Sequence, residues 1–386
     1  MIIPKEHPGT WQDFKKRKDN QTLPITELTN KYKKELLLFE NFVTFQMQQQ
    51  AFLRQQSSGG GGFSKVFTST VQLQKAMVQW YTNQESAELR YGIIEEWDVS
   101  NVTSFANVVG GENPFYDFLA TYQTTYFQFN RDLSGWDVSN GTDFQFMFFE
   151  CQAYNNAGVS LSGWDVSKST NFNGMFSQAN EFVGVGVDSW NVSNATNIAF
   201  MFSGCELFNI NINGWDTSNV TNMSGVFETT PAYNQPLNNW DVSNVTDMSE
   251  MFNCQIDGST FNQPLSSWDT SNVIDMSFMF NNASTFNQDI SNFDFSSVVP
   301  TNDGFGNLLS AQNFLGKVVG GAYPYDSSTA MSVANYSALL ISIASQTLNA
   351  NVLFDAGDTQ YSAGAAATAR ATIISTPWTI SDGGQV

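Results

Sequence analysis

The chain has 386 residues, of which 13% are charged and 14% are aromatic, and its formal net charge is −20. This composition argues against a disordered chain and against a coiled coil, and the negative charge makes binding of nucleic acid by the main body unfavourable. A single histidine, His7, and three widely spaced cysteines exclude catalytic triads and zinc sites built from several histidines, and we expect the cysteines to be small buried core residues.

No run of residues approaches the roughly 18 apolar residues that a membrane span requires. The N-terminus also lacks the basic and then apolar pattern of a secretory signal. We therefore expect neither insertion into a membrane nor an export signal.

The first segment, residues 1–62, differs from the rest in charge. Residues 1–56 hold nine Lys and Arg against six Asp and Glu, a net of +3. A helix is predicted over about 30–55, where Tyr32, Leu36, Phe39 and Val43 give an apolar stripe, and a Gly-rich hinge follows at 57–62. We expect an arm that anchors the chain to another protein, while a helix packed back on its own chain or a loose tail remains open.

A repeat begins at the first of seven Trp-(Asp/Asn)-(Val/Thr)-Ser-(Asn/Lys) segments, and Phe293 opens a decayed eighth copy. Successive spacings are 39, 28, 26, 25, 25, 28 and 25 residues. The repeating tryptophans are Trp97, Trp136, Trp164, Trp190, Trp215, Trp240 and Trp268.

Apolar residues recur at fixed distances from each tryptophan, as Leu237, Met248, Met251 and Phe252 do around Trp240. A unit of about 25 residues cannot bury so many apolar side chains alone, so neighbouring units must stack around one core. The repeat therefore predicts a solenoid, mainly β with short helical turns.

Within each unit the Val-Ser-Asn-Val-Thr stretch alternates like a short strand, and the spacing of Met248, Met251 and Phe252 favours a short helical turn. We expect the strands of successive units to pair in a parallel ladder at ~4.8 Å. One side of this ladder would be flat, repetitive and exposed.

The Asp and Asn that follow each tryptophan would lie in columns along the stack. We expect each Asp, with the Ser two residues later, to form an Asx turn, and each Asn to join a hydrogen-bonded ladder. Calcium bound between turns remains the alternative. Segments such as Asn219-Val-Thr also match glycosylation sequons, but these matches follow from the repeat.

The unit Trp240-Asp-Val-Ser-Asn-Val-Thr-Asp-Met-Ser-Glu-Met-Phe and the Phe-Asn-Gln-Asp-Ile phrase at Phe286 resemble the BspA-like repeat of bacterial surface proteins, a leucine-rich-repeat-like family also carried by some viruses and phages. The resemblance implies adhesion or recognition and supplies no catalytic residues. The stretches from Leu73 and from Tyr336 look like the caps of such arrays. We expect an arm at 1–62, an N-terminal cap at 63–96, the solenoid at 97–305 and an α/β C-terminal cap at 306–386.

These features favour a non-enzymatic virion structural protein, a phage capsid- or tail-attached fibre or decoration protein, without a cofactor. Its partners would be other virion proteins through the arm, and a host surface protein or glycan through an aromatic insert that includes Tyr116, Tyr122 and Tyr126. The alternatives are a cell-surface adhesin and a carboxylate-dependent polysaccharide hydrolase, for which Glu95, Glu96 and Asp303 are the extra acids.

Overall fold

A computed structural model of the chain describes residues 66–110, 127–254, 258–300, 314–315 and 331–386. Two helices precede the repeats, α1 over Thr70–Thr82 and α2 over Gln84–Tyr91, and short 3-10 helices cover Ile94–Glu96, Asn156–Gly158 and Val187–Ser189. After the repeats come α3 over Val333–Ala344, β1 over Leu353–Asp355, α4 over Ala365–Ser375 and β2 over Thr379–Ser381. Strands β1 and β2 pair in parallel, with Phe354 opposite Ile380.

Successive repeats, which we call coils, are joined by parallel single-residue β-bridges. The bridging residue lies seven positions after the tryptophan in each coil, and from the first coil to the seventh the bridges link Ser104, Asp143, Asn171, Asn197, Asn222, Asp247 and Asp275. Alternate N–H groups beyond each bridge continue the pairing: those of Met248, Glu250 and Phe252 donate to carbonyls of the next coil at 2.8–2.9 Å. Each coil therefore completes its backbone hydrogen bonding through its neighbours.

The backbone segment that pairs between coils is not the Val-Ser-Asn-Val-Thr stretch, which the alternation of apolar and polar residues predicts to be a strand. Ser243 and Asn244 form a turn, closed by the N–H of Val245 donating to the carbonyl of Val242 at 2.9 Å. The Met248–Phe252 stretch, expected to be a helical turn, instead directs its alternate N–H groups to the next coil. The turn prevails over the strand at Ser-Asn because an Asp side chain two residues before the Ser accepts its N–H.

Two aromatic columns fill the interior. In one, Phe148, Phe176, Phe202, Phe227, Phe252 and Phe280 stack between coils at centroid distances of 5.4–6.1 Å. In the other, Tyr154, Phe182, Phe208, Tyr233, Phe261 and Phe286 stack at 5.7–6.3 Å. Within each coil the two rings face each other at 3.9–4.1 Å. All belong to one continuous core, as the repeat predicts.

The seven repeating tryptophans are buried, and six of their indoles bond to the coil before their own, while that of Trp97 donates to the carbonyl of Gly92. From Trp136 to Trp268 the Nε1–H donates, at 2.8–3.0 Å, to the carbonyl of the residue three positions before the preceding tryptophan. In the eighth coil Phe293 has no such donor, and the side-chain amide of Asn292 donates to the corresponding carbonyl of Leu265 at 3.2 Å. The loss of the indole is thus compensated locally.

Each coil also contains left-handed backbone. The residue ten positions after the tryptophan has φ between 53° and 59° in all seven coils: Asn107, Phe146, Gly174, Phe200, Gly225, Glu250 and Phe278. Five of these are not glycine, although this conformation costs roughly 1–2 kcal/mol for an L-residue. At Gly225 an added Cβ would overlap the ring of Phe200 in the preceding coil, so glycine is favoured there for space in addition to its tolerance of positive φ.

The segments that flank the repeats satisfy the open ends of the stack. Donors on α1 reach carbonyls of the first coil: the Thr70 hydroxyl donates to Ser104, the Gln74 amide to Ala106 and the Tyr81 hydroxyl to Val109, at 2.6–2.9 Å. At the other end Gln346 accepts from the N–H of Phe295 and donates to the carbonyl of Phe293. These contacts pair backbone groups at both ends of the described stack.

Cys151, Cys205 and Cys254 are free thiols in the interior, which confirms their predicted role as buried core residues. Among the described helices none combines the length and apolar character needed to cross a membrane. From the bridges, the aromatic columns and the capped ends we infer that residues 97–298 wind as a solenoid.

The indole bond predicts a graded effect of substitutions at Trp240. Trp240→Phe keeps a ring but removes one of the two donors to the carbonyl of Ile212, which retains the N–H of Trp215 at 3.1 Å, so we expect the free energy of unfolding to fall by about 0.5–1.5 kcal/mol in urea denaturation. Trp240→Ala also creates a cavity, with an expected loss of about 3–5 kcal/mol. Equal stability of Trp240→Phe and the parent chain would contradict the role of this bond.

The left-handed column predicts that Gly225→Ala lowers the free energy of unfolding by at least about 1–2 kcal/mol, since it combines an unfavourable φ with overlap of Phe200. Gly214→Ala is the matched control, because its added methyl meets nothing within 4 Å. Thermal unfolding of the two variants measures the difference, and equal melting temperatures would show that the column is not strained.

Candidate contact surface

The predicted site residues fall into two groups, those that the structure describes and those that lie outside the described residues. The seven repeating tryptophans are 2–4% exposed and form structure, not surface. The proposed anchoring residues Tyr32, Leu36, Phe39 and Val43 lie outside the described residues, as do the candidate recognition residues Tyr116, Tyr122 and Tyr126.

A different surface is regular throughout the stack, and we call it the Asn–Thr face. It consists of two columns of exposed side chains, four and six positions after each tryptophan. The first column, the Asn column, is Asn101, Asn140, Lys168, Asn194, Asn219, Asn244 and Asn272; the second, the Thr column, is Thr103, Thr142, Thr170, Thr196, Thr221, Thr246 and Ile274.

The threonines are held by two hydrogen bonds to the same acceptor. From Thr142 to Thr246, each backbone N–H donates to the carbonyl of the preceding threonine at 2.8–3.0 Å. Each hydroxyl donates to that carbonyl as well, at 3.0–3.4 Å. The hydroxyl proton is therefore used within the stack, and the oxygen lone pairs and the methyl group remain available at the surface.

The asparagines form a second ladder on the same face. The side-chain amides of Asn140, Asn194, Asn219, Asn244 and Asn272 donate to a serine carbonyl of the preceding coil at 2.7–2.8 Å. At the departure from the pattern, the Lys168 ammonium donates to Oδ1 of Asn140 at 2.7 Å. The predicted Asn ladder is confirmed, with serine carbonyls as its acceptors.

The aspartates directly after the tryptophans form the predicted Asx turns. Oδ1 of Asp216, for example, accepts the N–H and the hydroxyl of Ser218 at 3.1 and 2.7 Å. Hydrogen bonds from the serine two residues later lower the pKa of Asp137, Asp165, Asp216 and Asp269. These carboxylates are exposed, ionised and used in turns.

A carboxyl pair lies elsewhere, where Glu228 and Glu250 are hydrogen-bonded to each other. Burial raises the pKa of Glu250, and the charges of Asp247 and Asp275 act in the same direction. The Ser203 hydroxyl donates to Glu228 at 3.1 Å. Glu228 and Asn253 each lie thirteen positions after the tryptophan of their coil, so they occupy equivalent positions in successive coils. The side chain of Asn253 is also hydrogen-bonded to Glu250.

The other acids named from the sequence are placed as follows. The Glu95 carboxylate is bound by Arg131, at 2.6 Å to Nε and 2.5 Å to a terminal nitrogen, while Glu96 is exposed. Asp303 lies outside the described residues. In the described part of the chain, no group of three or more His, Cys, Asp or Glu side chains is arranged to hold a metal ion.

The Thr column was not recognised as a surface feature from the sequence. Its signal was the Asn-x-Thr phrase, which the sequence pattern placed in the predicted exposed ladder without distinguishing the threonines as its outward side chains. The threonine that follows each Asx turn is exposed because the turn directs the two flanking valines inward. Val242 and Val245, for example, are 0–1% exposed. Their regular exposure is therefore a property of the stacked turn.

The model of the family described as "Mycoplasma protein of unknown function, DUF285" matches residues 50–183, 183–257 and 200–318. No curated protein and no solved structure gives a significant match.

The carboxyl pair predicts a pH-dependent effect of Glu250→Gln. Because burial raises the folded-state pKa of Glu250 above its unfolded value, the protonated acid favours the fold, and this contribution is lost as the pH rises through the folded-state pKa. Glutamine imitates the protonated acid. We expect the variant to melt at a higher temperature than the parent chain near pH 7 and at a similar temperature near pH 4.

Glu181→Gln, at an exposed position, is the control for the loss of one negative charge. Melting curves across this pH range compare the two variants. A gain for Glu250→Gln that is independent of pH, or matched by Glu181→Gln, would contradict the assignment.

Proposed function

We propose that this chain, which belongs to the DUF285 family of mycoplasma proteins of unknown function, is a non-catalytic repeat scaffold. It presents its outer face for contact with other surfaces. One observation carries this proposal: the polar side chains that recur with the coil bind backbone groups of the same or the preceding coil. Examples are Asp241 with Ser243, Asn244 with Ser218 and Thr246 with Thr221. Such side chains build a surface instead of converging on one reacting atom.

The geometry of the acids supports the same proposal over a hydrolase. Glycoside hydrolases hold their two carboxyl groups about 5 Å or more apart, so that a sugar and a water fit between them. Glu228 and Glu250 are within hydrogen-bonding distance of each other, and Glu95 is paired with Arg131. Neither arrangement leaves a free acid and base on opposite sides of a substrate.

The solenoid form suits surface contact for a mechanical reason. Each coil contacts its neighbours through the same bridges and rings, so substitutions at outward positions change the surface without changing the core. The replacement of Asn by Lys168 on the Asn–Thr face is one such change, since the lysine still bonds to the preceding coil. A repeated scaffold thus permits variation of the contact surface alone.

We further propose that the chain is a virion structural protein, held on the particle by residues 1–62, with the cell surface as the alternative location. The charge contrast supports a separate attachment role for this segment, because residues 1–56 carry a net of +3 in a chain of net −20. A basic segment binds acidic protein surfaces that the acidic solenoid repels.

Removal of residues 1–62 tests the attachment. We expect the shortened chain to be lost from purified particles while it still folds, as measured by quantitative mass spectrometry of the particles and by circular dichroism of the soluble protein. Leu36→Asp with Phe39→Asp is expected to have the same effect, because the two charges interrupt the apolar stripe.

Lys34→Ala with Glu35→Ala, off that stripe, is the control and should retain normal copies. Normal copies of the shortened chain in particles would contradict the anchor. Detection of the protein on intact cells that make no particles would place it at the cell surface.

A further inference from the structure

The Asn–Thr face is a rigid and periodic array. Six threonines follow one another in successive coils, from Thr103 to Thr246, and the last five are each fixed to the preceding threonine by the N–H bonds of 2.8–3.0 Å described above. Backbone pairing of this kind sets the distance between neighbours at ~4.8 Å, so the six span about 24 Å. The hydroxyl bonds to the same carbonyls hold the side chains in one orientation, which removes most of the rotamer entropy that binding would otherwise cost.

The array is nearly free of charge in an acidic chain. The Thr column holds six threonines and one isoleucine, and Lys168 is the one charged residue in either column. The formal charge of the whole chain is −20. Exposed Asx-turn carboxylates such as Asp216 lie three positions before the Asn column and disfavour an anionic partner. The two columns themselves offer a cation no carboxylate, so the face fits a neutral partner.

The face also lacks the groups that bind sugars by stacking. Neither of its two columns contains an aromatic side chain, and aromatic rings are the apolar platform of most saccharide sites. It offers instead threonine oxygens as acceptors, asparagine amides as donors and acceptors, and methyl groups between them. These are arranged in ranks that repeat with the coil.

We propose that the Asn–Thr face binds the surface of ice. Crystalline water is a neutral lattice that donates and accepts hydrogen bonds at a fixed repeat, and a rigid array of acceptors, donors and methyl groups holds water in ordered positions without first being ordered itself. This inference goes beyond the proposed scaffold role and does not depend on where the chain is anchored.

The test uses the full chain in two assays, thermal hysteresis of a single ice crystal and inhibition of ice recrystallisation. The expected result is a measurable hysteresis gap and small ice grains after annealing, compared with serum albumin at equal concentration. Thr196→Lys, in the middle of the Thr column, is expected to abolish both effects because the long charged side chain rises above the array.

Leu207→Lys is the matched control: it adds the same charge at a residue that is 49% exposed and outside both columns, and it should retain full activity. Thr221→Val keeps the shape of the side chain and lacks its hydroxyl, so it tests the face even if Thr196→Lys fails to fold. We expect this variant to lose part of the hysteresis with an unchanged circular dichroism spectrum.

Absence of hysteresis in the folded parent chain would overturn the proposal, and so would equal activity of Thr196→Lys and Leu207→Lys. Retention of the chain on insoluble cellulose, lost in Thr196→Lys, would identify a neutral polysaccharide as the partner instead of ice and would also overturn it. None of these outcomes changes the particle counts that test the anchor, so the two proposals fail separately.

Discussion

The contact that organises this molecule is the hydrogen bond from one coil to a backbone group of the coil before or after it. A coil of about 25 residues leaves alternate N–H groups and carbonyls unpaired within itself, and burial without partners would cost several kilocalories per mole. The ladder after each bridge satisfies the N–H groups, and from Trp136 to Trp268 each indole adds a donor from the next coil, as at the carbonyl of Ile212. Because these bonds connect equivalent positions, they fix the register of every residue in the stack.

Where the repeat decays, the same requirement is met by other atoms. Asn292 replaces the missing indole in the eighth coil, and Asn287 accepts the N–H of Ser332 just before α3. At the first coil, side chains of α1 take the place of a preceding coil. The caps are thus defined by the unpaired groups they satisfy, which explains why their sequences do not resemble the repeat.

The candidate surface follows from the same contacts. Threonine and asparagine lie on it in columns because their own donors hold the stack together, so the contact surface and the structural ladder are the same residues. A substitution at Thr196 therefore affects the stack as well as the surface, so the folding of the variant has to be measured together with its activity. At the left-handed positions, an unfavourable backbone conformation accompanies these contacts between coils. Glu250, for example, has a φ of 59° while its N–H donates to Ser277 in the next coil.

The sequence by itself determined the period, the buried positions and the Asx turns, because spacing and side-chain chemistry are local or repeated properties that a single chain displays. Trp215, Cys205 and Asp216 behave as their pattern predicts. Only the tertiary structure decided which backbone segment pairs and which residues take φ near +55°, as Phe200 does. It also decided that the Thr column is outward, because each choice depends on atoms of the neighbouring coil, about 25 residues away in sequence.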